Sequence, residues 1–172
     1  MITDKEYLEK LITVTKEAAL CILNEEMVVI QWPELLNELQ LIEKTKNLKE
    51  IARKEYSILD IMNKLKISGI LEQYEKVLEV IHLEDSIVPA GVQQALDEER
   101  VKHNGEIWTI HKSDKDPFPS NPHAHNYEKR LKMDLGSGEL YNGLKKVGKI
   151  DKNSFIAFRA KIRNVTLPEL AT

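Results

Sequence analysis

Val101-Lys102-His103-Asn104-Gly105-Glu106-Ile107-Trp108-Thr109-Ile110-His111-Lys112 is the stretch in which the hydrophobic period of this chain changes. Asn-Gly at its middle is the strongest short-range hairpin signal, because both residues accept the positive φ that a tight turn requires. From Glu106 onward the residues alternate. Ile107, Thr109 and His111 fall on one side and Trp108 and Ile110 on the other, the two-residue period of a strand. Upstream of this point apolar residues recur at helical spacing instead. The reading is therefore α+β: a helical N-terminal part over residues 1–100, then a small antiparallel sheet with a C-terminal helix over residues 101–172.

Upstream, Thr3-Asp4-Lys5-Glu6 has the form of a capping box. Leu8, Leu11, Ile12, Thr15, Ala18, Ala19 and Ile22 then share one helical face. Met27 to Ile30 is a helix end or a turn. Trp32-Pro33 opens a second helix, since proline suits the first helical position. A third is expected from about Leu48 to Lys66, ended by Ser68-Gly69. Ile70, Leu71, Tyr74, Val77, Leu78 and Ile81 mark a fourth, and Pro89 opens a short fifth ending near Arg100.

Downstream, the second arm of the hairpin leads into a proline-rich irregular stretch from Asp114 to Asn126, then strands at Leu131–Leu135 and Glu139–Tyr141 joined by Gly136-Ser137-Gly138. Asp151 caps a last helix with Phe155, Ile156, Phe158, Arg159 and Ile162 near its buried side. The expected module has about four short strands and one helix.

The chain of 172 residues carries a net charge of −3. Residues 1–101 hold 12 Lys/Arg against 20 Asp/Glu, and residues 102–163 hold 13 against 7. An acidic part and a basic part suggest different partners, and a polyanion such as RNA or another nucleic acid is the natural partner for the second. The helical faces suit packing on one another, on a protein partner, or on a second copy. No apolar run approaches the roughly 20 residues that span a bilayer, and MITDKEYLEK has no apolar core of a signal peptide. The one cysteine, Cys21, cannot form an internal disulfide, which points to a reducing, cytoplasmic setting. No phosphate-binding G-x-x-x-x-G-K-[ST] loop is present, which argues against nucleoside-triphosphate hydrolysis.

The segment from Trp108 to Asn126 concentrates histidine, aspartate, asparagine and lysine among prolines that stiffen the loop. Three readings of it are open. In the first, His123 and His125 are a proton-transfer pair for phosphodiester cleavage, assisted by His111, Lys112 and Lys132, with no metal or cofactor. In the second, His123-Ala124-His125 places two imidazoles on one side of an extended segment, with Asp114, Asp116 or His111 completing a metal shell. In the third, the loop is architecture and its histidines satisfy backbone groups. Lys145, Lys146, Lys149 and Arg159 are candidate phosphate contacts, with a solvated edge as the alternative for the lysines. Trp108 and Phe118 are read as core, with base stacking as the other role.

The string W-x-I-H-K-x-D-x-D-P-F-P-S-N-P-H-A-H, followed by L-K-M-D-L-G-S-G-E-L-Y, resembles a short domain of uncharacterised bacterial proteins, over roughly residues 101–163. In layout, though in no diagnostic motif, the module is similar to small toxin-type ribonucleases of the barnase and RelE kind. That resemblance implies a toxin-like endoribonuclease and transfers no residue roles. The expected function is metal-independent RNA cleavage by a histidine pair, with a non-catalytic nucleic-acid-binding or protein-interaction module as the alternative.

Overall fold

The computed structural model describes residues 3–92, 105–111 and 116–171. It divides into two compact units, Met1–Lys76 and Val77–Thr172.

The first unit is helical: α1 (Asp4–Glu26), α2 (Trp32–Ile42), α3 (Leu48–Ala52), α4 (Ile58–Ser68) and a 3-10 turn at Ile70–Gln73. The Thr3 hydroxyl accepts from the Glu6 N–H and the Glu6 carboxylate accepts from the Thr3 N–H, the capping box expected at this start. Ala18, Ile22, Leu35, Leu39, Ile61 and Leu65 close a core at zero exposure. The single helix expected over 48–66 is two helices. Glu55 takes a left-handed backbone (φ 50°), and Ser57 with Asp60 forms a second capping box that starts α4. These side chains satisfy N–H groups that a continuous helix would have bonded through its own carbonyls. Among the described residues, no helix is long and apolar enough to cross a membrane.

Among the described residues, the second unit is a six-stranded antiparallel meander with one helix. Its strands are β1 (Val77–Leu83), β2 (Glu106–His111), β3 (His123–Asn126), β4 (Leu131–Asp134), β5 (Glu139–Asn142) and β6 (Lys145–Lys149), followed by α5 (Lys152–Lys161). Each strand pairs with its neighbour in sequence. The expected fourth helix over 70–81 is overturned: after the 3-10 turn the chain becomes β1. Val77, Leu78 and Ile81 satisfy a helical period in so short a run, but the stretch is β-branched and has a ready partner. That partner is β2, in register from Val77↔His111 to Leu83↔Glu106. The expected arm Val101–His103 lies outside the described residues, as does the expected fifth helix beyond Val92.

Including β1 changes the charge argument. Residues 77–172 carry 14 Lys/Arg against 14 Asp/Glu, and residues 1–76 carry 11 against 14. The basic excess of residues 102–163 is balanced within its own unit, so the unit that contains the expected basic module is electrically neutral as a whole. Any anion recognition has to be local.

One face of the sheet is the core. Ala124, Met133 and Leu140 stand opposite one another across β3, β4 and β5, and α5 brings Phe155 and Phe158 to the same cluster. Trp108 is fully buried there, edge-on to Phe158 with ring centroids 6.0 Å apart. It is a core residue and offers no face to a base. Gly138 takes φ 74° at the β4–β5 turn, where a Cβ would stand 3.0 Å from the Phe155 ring.

Glu79 of β1, 8% exposed, accepts from the N–H groups of Arg163 and Asn164 at 2.9–3.1 Å. It ties the segment after α5 to the first strand. Hydrogen bonds to a charged group contribute about 1.5–3 kcal/mol each. Glu79→Ala should therefore lower the unfolding free energy of the sheet unit by roughly 2–3 kcal/mol, allowing for water reaching part of the site. Urea unfolding followed at Trp108 reads this directly, and a loss below about 0.5 kcal/mol would show the anchor to be idle.

Candidate functional site

Register decides which side chains meet. Thr109 of β2 stands opposite His125 of β3, His125 opposite Lys132 of β4, and Lys132 opposite Tyr141 of β5. Directly opposed residues share a face, so these four form a row across the sheet on the side away from α5. Alternation adds His123 and Tyr127 on either side of His125, and His111 beyond Thr109.

The rings are in contact. His125 lies 4.5 Å from His123, 5.2 Å from His111 and 5.4 Å from Tyr127 between ring centroids, and it stacks on Tyr127 at 11°. A 2.6 Å hydrogen bond joins the Tyr127 hydroxyl and His111 Nε2. The phenol donates to Nε2 when that nitrogen is unprotonated, and Nε2–H donates to the phenolic oxygen when it is protonated.

The two histidines expected to act as a pair sit in different environments. His123 is 1% exposed. Its Nδ1 is 2.9 Å from the Ser120 carbonyl oxygen, and a carbonyl only accepts, so this nitrogen carries the proton. The Ser120 hydroxyl in turn donates to the Pro122 carbonyl and accepts from the Leu135 N–H. This is a histidine locked by backbone. His125 is only partly buried and lines a pocket of about 200 Å³ with Tyr127, Arg130, Lys132 and Gly143. Among the described residues, His123 is not part of that lining. Solvent therefore reaches one member of the expected pair.

Two cations serve the pocket. Lys132 donates to the Asp116 carboxylate, which also accepts from the Phe118 N–H. Lys132, and after it that N–H, hold the Asp116 carboxyl below its usual range. Arg130 closes the β3–β4 turn with φ 53°, a left-handed backbone that costs a residue with a Cβ about 1–2 kcal/mol. Its side chain is exposed, and among the described residues it has no hydrogen-bond or ion-pair partner.

The remaining candidates divide. Lys112 and Asp114 lie outside the described residues. Among the described residues no group of three or more His, Cys, Asp and Glu side chains is arranged to hold a metal ion. The Arg159 guanidinium donates to the carbonyls of Leu135 and Pro168, and it lies over the Phe155 ring. It fastens the C-terminal segment to the sheet. Lys145, Lys146 and Lys149 are exposed on β6 at the sheet edge, with Lys146 paired to Glu139. Charged side chains on an edge strand discourage pairing with another chain. Phe118 packs edge-on to Tyr141 at 4.8 Å.

Tyr127 and Arg130 were not singled out from the sequence. Continuing the two-residue period of His123-Ala124-His125 to Asn126-Tyr127 identifies the tyrosine. Nothing in the sequence marks Arg130, whose place depends on the turn. A larger groove of about 720 Å³ lies on the helical unit, lined by residues that include Glu6, Glu9, Glu55 and Tyr56. Its acidic rim suits neither an anionic substrate nor proton transfer near neutral pH.

No family model, curated protein or solved structure matches the chain.

Proposed function

We propose that the sheet unit is a metal-independent, toxin-like endoribonuclease whose working groups are His125, Tyr127, Arg130 and Lys132. The observation that carries this reading is that all four line one pocket, so a base, an acid and two cations face the same small space. In the proposed reaction His125 takes the proton of a ribose 2′-hydroxyl as its oxygen attacks the adjacent phosphorus. Lys132 and Arg130 stabilise the charge that builds on the phosphoryl oxygens. The bond from phosphorus to the 5′-oxygen breaks, and that oxygen takes the hydroxyl proton of Tyr127; the phenolate left behind takes the Nε2 proton of His111 through the 2.6 Å hydrogen bond, so His111 enters the step with Nε2 protonated. His123 positions the stack from behind and exchanges no proton with substrate.

The products would be a 2′,3′-cyclic phosphate end and a 5′-hydroxyl end. Incubating single-stranded RNA with the protein in EDTA, and analysing the ends, tests this. Cleavage with those ends is expected, and a 2′-O-methyl strand should stay intact. Cleavage that EDTA abolishes would replace the mechanism with a metal-dependent one. The burial of His123 favours a second reading, a non-catalytic nucleic-acid-binding module, because it leaves the pocket with one imidazole. Binding of RNA without any cleavage would select it.

A further inference from the structure

We infer that the pocket is a seat for one phosphate group of single-stranded RNA, in which Asp116 holds the place of the phosphate on Lys132 and Arg130 is the cation that waits for it. The inference rests on the placement of the site under either reading above, and it does not require cleavage.

Three observations converge. The first is size. About 200 Å³ is below the roughly 300–1,000 Å³ of pockets that enclose a whole small molecule. A phosphate fits such a space and a complete nucleotide does not, so the bases lie outside and are not read there.

The second is the state of Lys132. Its ammonium already has an anion, the Asp116 carboxylate, whose side chain remains half exposed. A carboxylate and a phosphate oxygen present the same chemistry to an ammonium. Water reaches the Asp116 half of the pair, which weakens it, and so the carboxylate exchanges for a dianionic or diester phosphate that Arg130 also grips.

The third is Arg130. Arg130 takes a left-handed backbone, as Met27, Lys44 and Glu55 also do, so its side chain and not its backbone sets it apart. The side chain has no partner among the described residues that would account for it, yet it lines the pocket. Guanidinium presents paired donors that match phosphate oxygens.

The arrangement separates fold from function at one position. Arg130→Gly gives the turn the residue its backbone favours, so the variant should melt no lower than wild type. Its affinity for a labelled single-stranded 2′-O-methyl RNA should fall about tenfold or more, and the slope of log affinity against log salt should drop by about one charge. Asp116→Asn removes the internal anion and should bind the same strand several-fold more tightly. Inorganic phosphate should compete with the strand in wild type and less well in Arg130→Gly. Unchanged binding in Arg130→Gly, weaker binding in Asp116→Asn, or no binding by wild type overturns the inference. Because the probe cannot be cleaved through a 2′-hydroxyl, these outcomes are independent of catalysis. RNA cleavage with unaltered Arg130→Gly binding removes the seat and leaves the nuclease. The expected binding pattern without cleavage of ordinary RNA removes the nuclease and leaves the seat.

Discussion

His125→Ala should reduce RNA cleavage by about 10²-fold or more while the melting temperature barely moves, because one proton-transfer group typically contributes that much. His123→Ala should behave in the opposite way. Its ring is 1% exposed and bonded to the Ser120 carbonyl, and removing it takes the donor from a part-buried acceptor and opens a void beside the loop. A loss of about 1–3 kcal/mol is expected, seen as earlier thermal unfolding of the sheet unit. Activity measured well below the new midpoint should then persist in part. Measuring both variants by single-turnover cleavage and by thermal melts distinguishes them. If His125→Ala cleaves at the wild-type rate, the proposed base is wrong. If His123→Ala is as stable as wild type and inactive, the roles assigned to the two rings are reversed.

Glu106→Ala should be the most destabilising single change in the sheet unit, at about 3–5 kcal/mol, the cost of removing one partner of a buried ion pair. Glu106 is 2% exposed at the start of β2. Its carboxylate accepts from Lys129, from the Ser86 hydroxyl, from the Ile87 N–H at 3.1 Å and from the Trp108 indole N–H at 3.0 Å. Truncation leaves the ammonium and two N–H groups short of an acceptor. Burial pushes this carboxyl up, but Lys129, Ser86, Trp108 and Ile87 together outweigh burial and hold it below the ordinary glutamate range. A carboxyl depressed on folding contributes stability that is complete above its unfolded value and is lost as pH falls through its folded value. The wild-type unit should thus lose stability in acid below the ordinary glutamate range, and Glu106→Gln should show a shallower decline over that window. Urea melts from neutral to acid pH measure both effects. A wild-type profile that Glu106→Gln reproduces in slope would show that the carboxylate is not the group responsible.

Much of the secondary structure was legible along the chain. The capping box at Thr3, the proline start of α2, the strands β4 and β5 and the Asp151 cap of α5 all follow from local chemistry, and all are present. The Asp151 side chain accepts from the N–H groups of Asn153 and Ser154, as its position suggests. The sixth strand was missed although its signal is local. Asn142-Gly143 repeats the Asn-Gly pattern noticed at 104–105, and Gly143 takes φ 59° between β5 and β6. The helix expected over residues 70–81 is replaced by a 3-10 turn and β1 for a different reason. Its apolar residues fit either period, and only a partner strand separates the two.

What the sequence determined by itself is whatever a few neighbouring residues decide: helix caps, Asn-Gly turns, the alternation in β2, and the fact that His123 and His125, two apart in an extended segment, face the same way. Tertiary structure decided the rest. It set β1 beside β2, which moved the division of the chain from residue 100 to residue 76 and cancelled the charge excess of the second part. It set the register that lines Thr109, His125, Lys132 and Tyr141 into one row. It buried His123 under the proline loop and left His125 at the pocket, and it committed Arg159 to the backbone while exposing Arg130 in a turn. The strand pairings behind these outcomes join residues from 7 (His125 and Lys132) to 34 (Val77 and His111) positions apart; their energies come from burial and from cross-strand contacts, and no local pattern encodes which of two identical side chains ends in water.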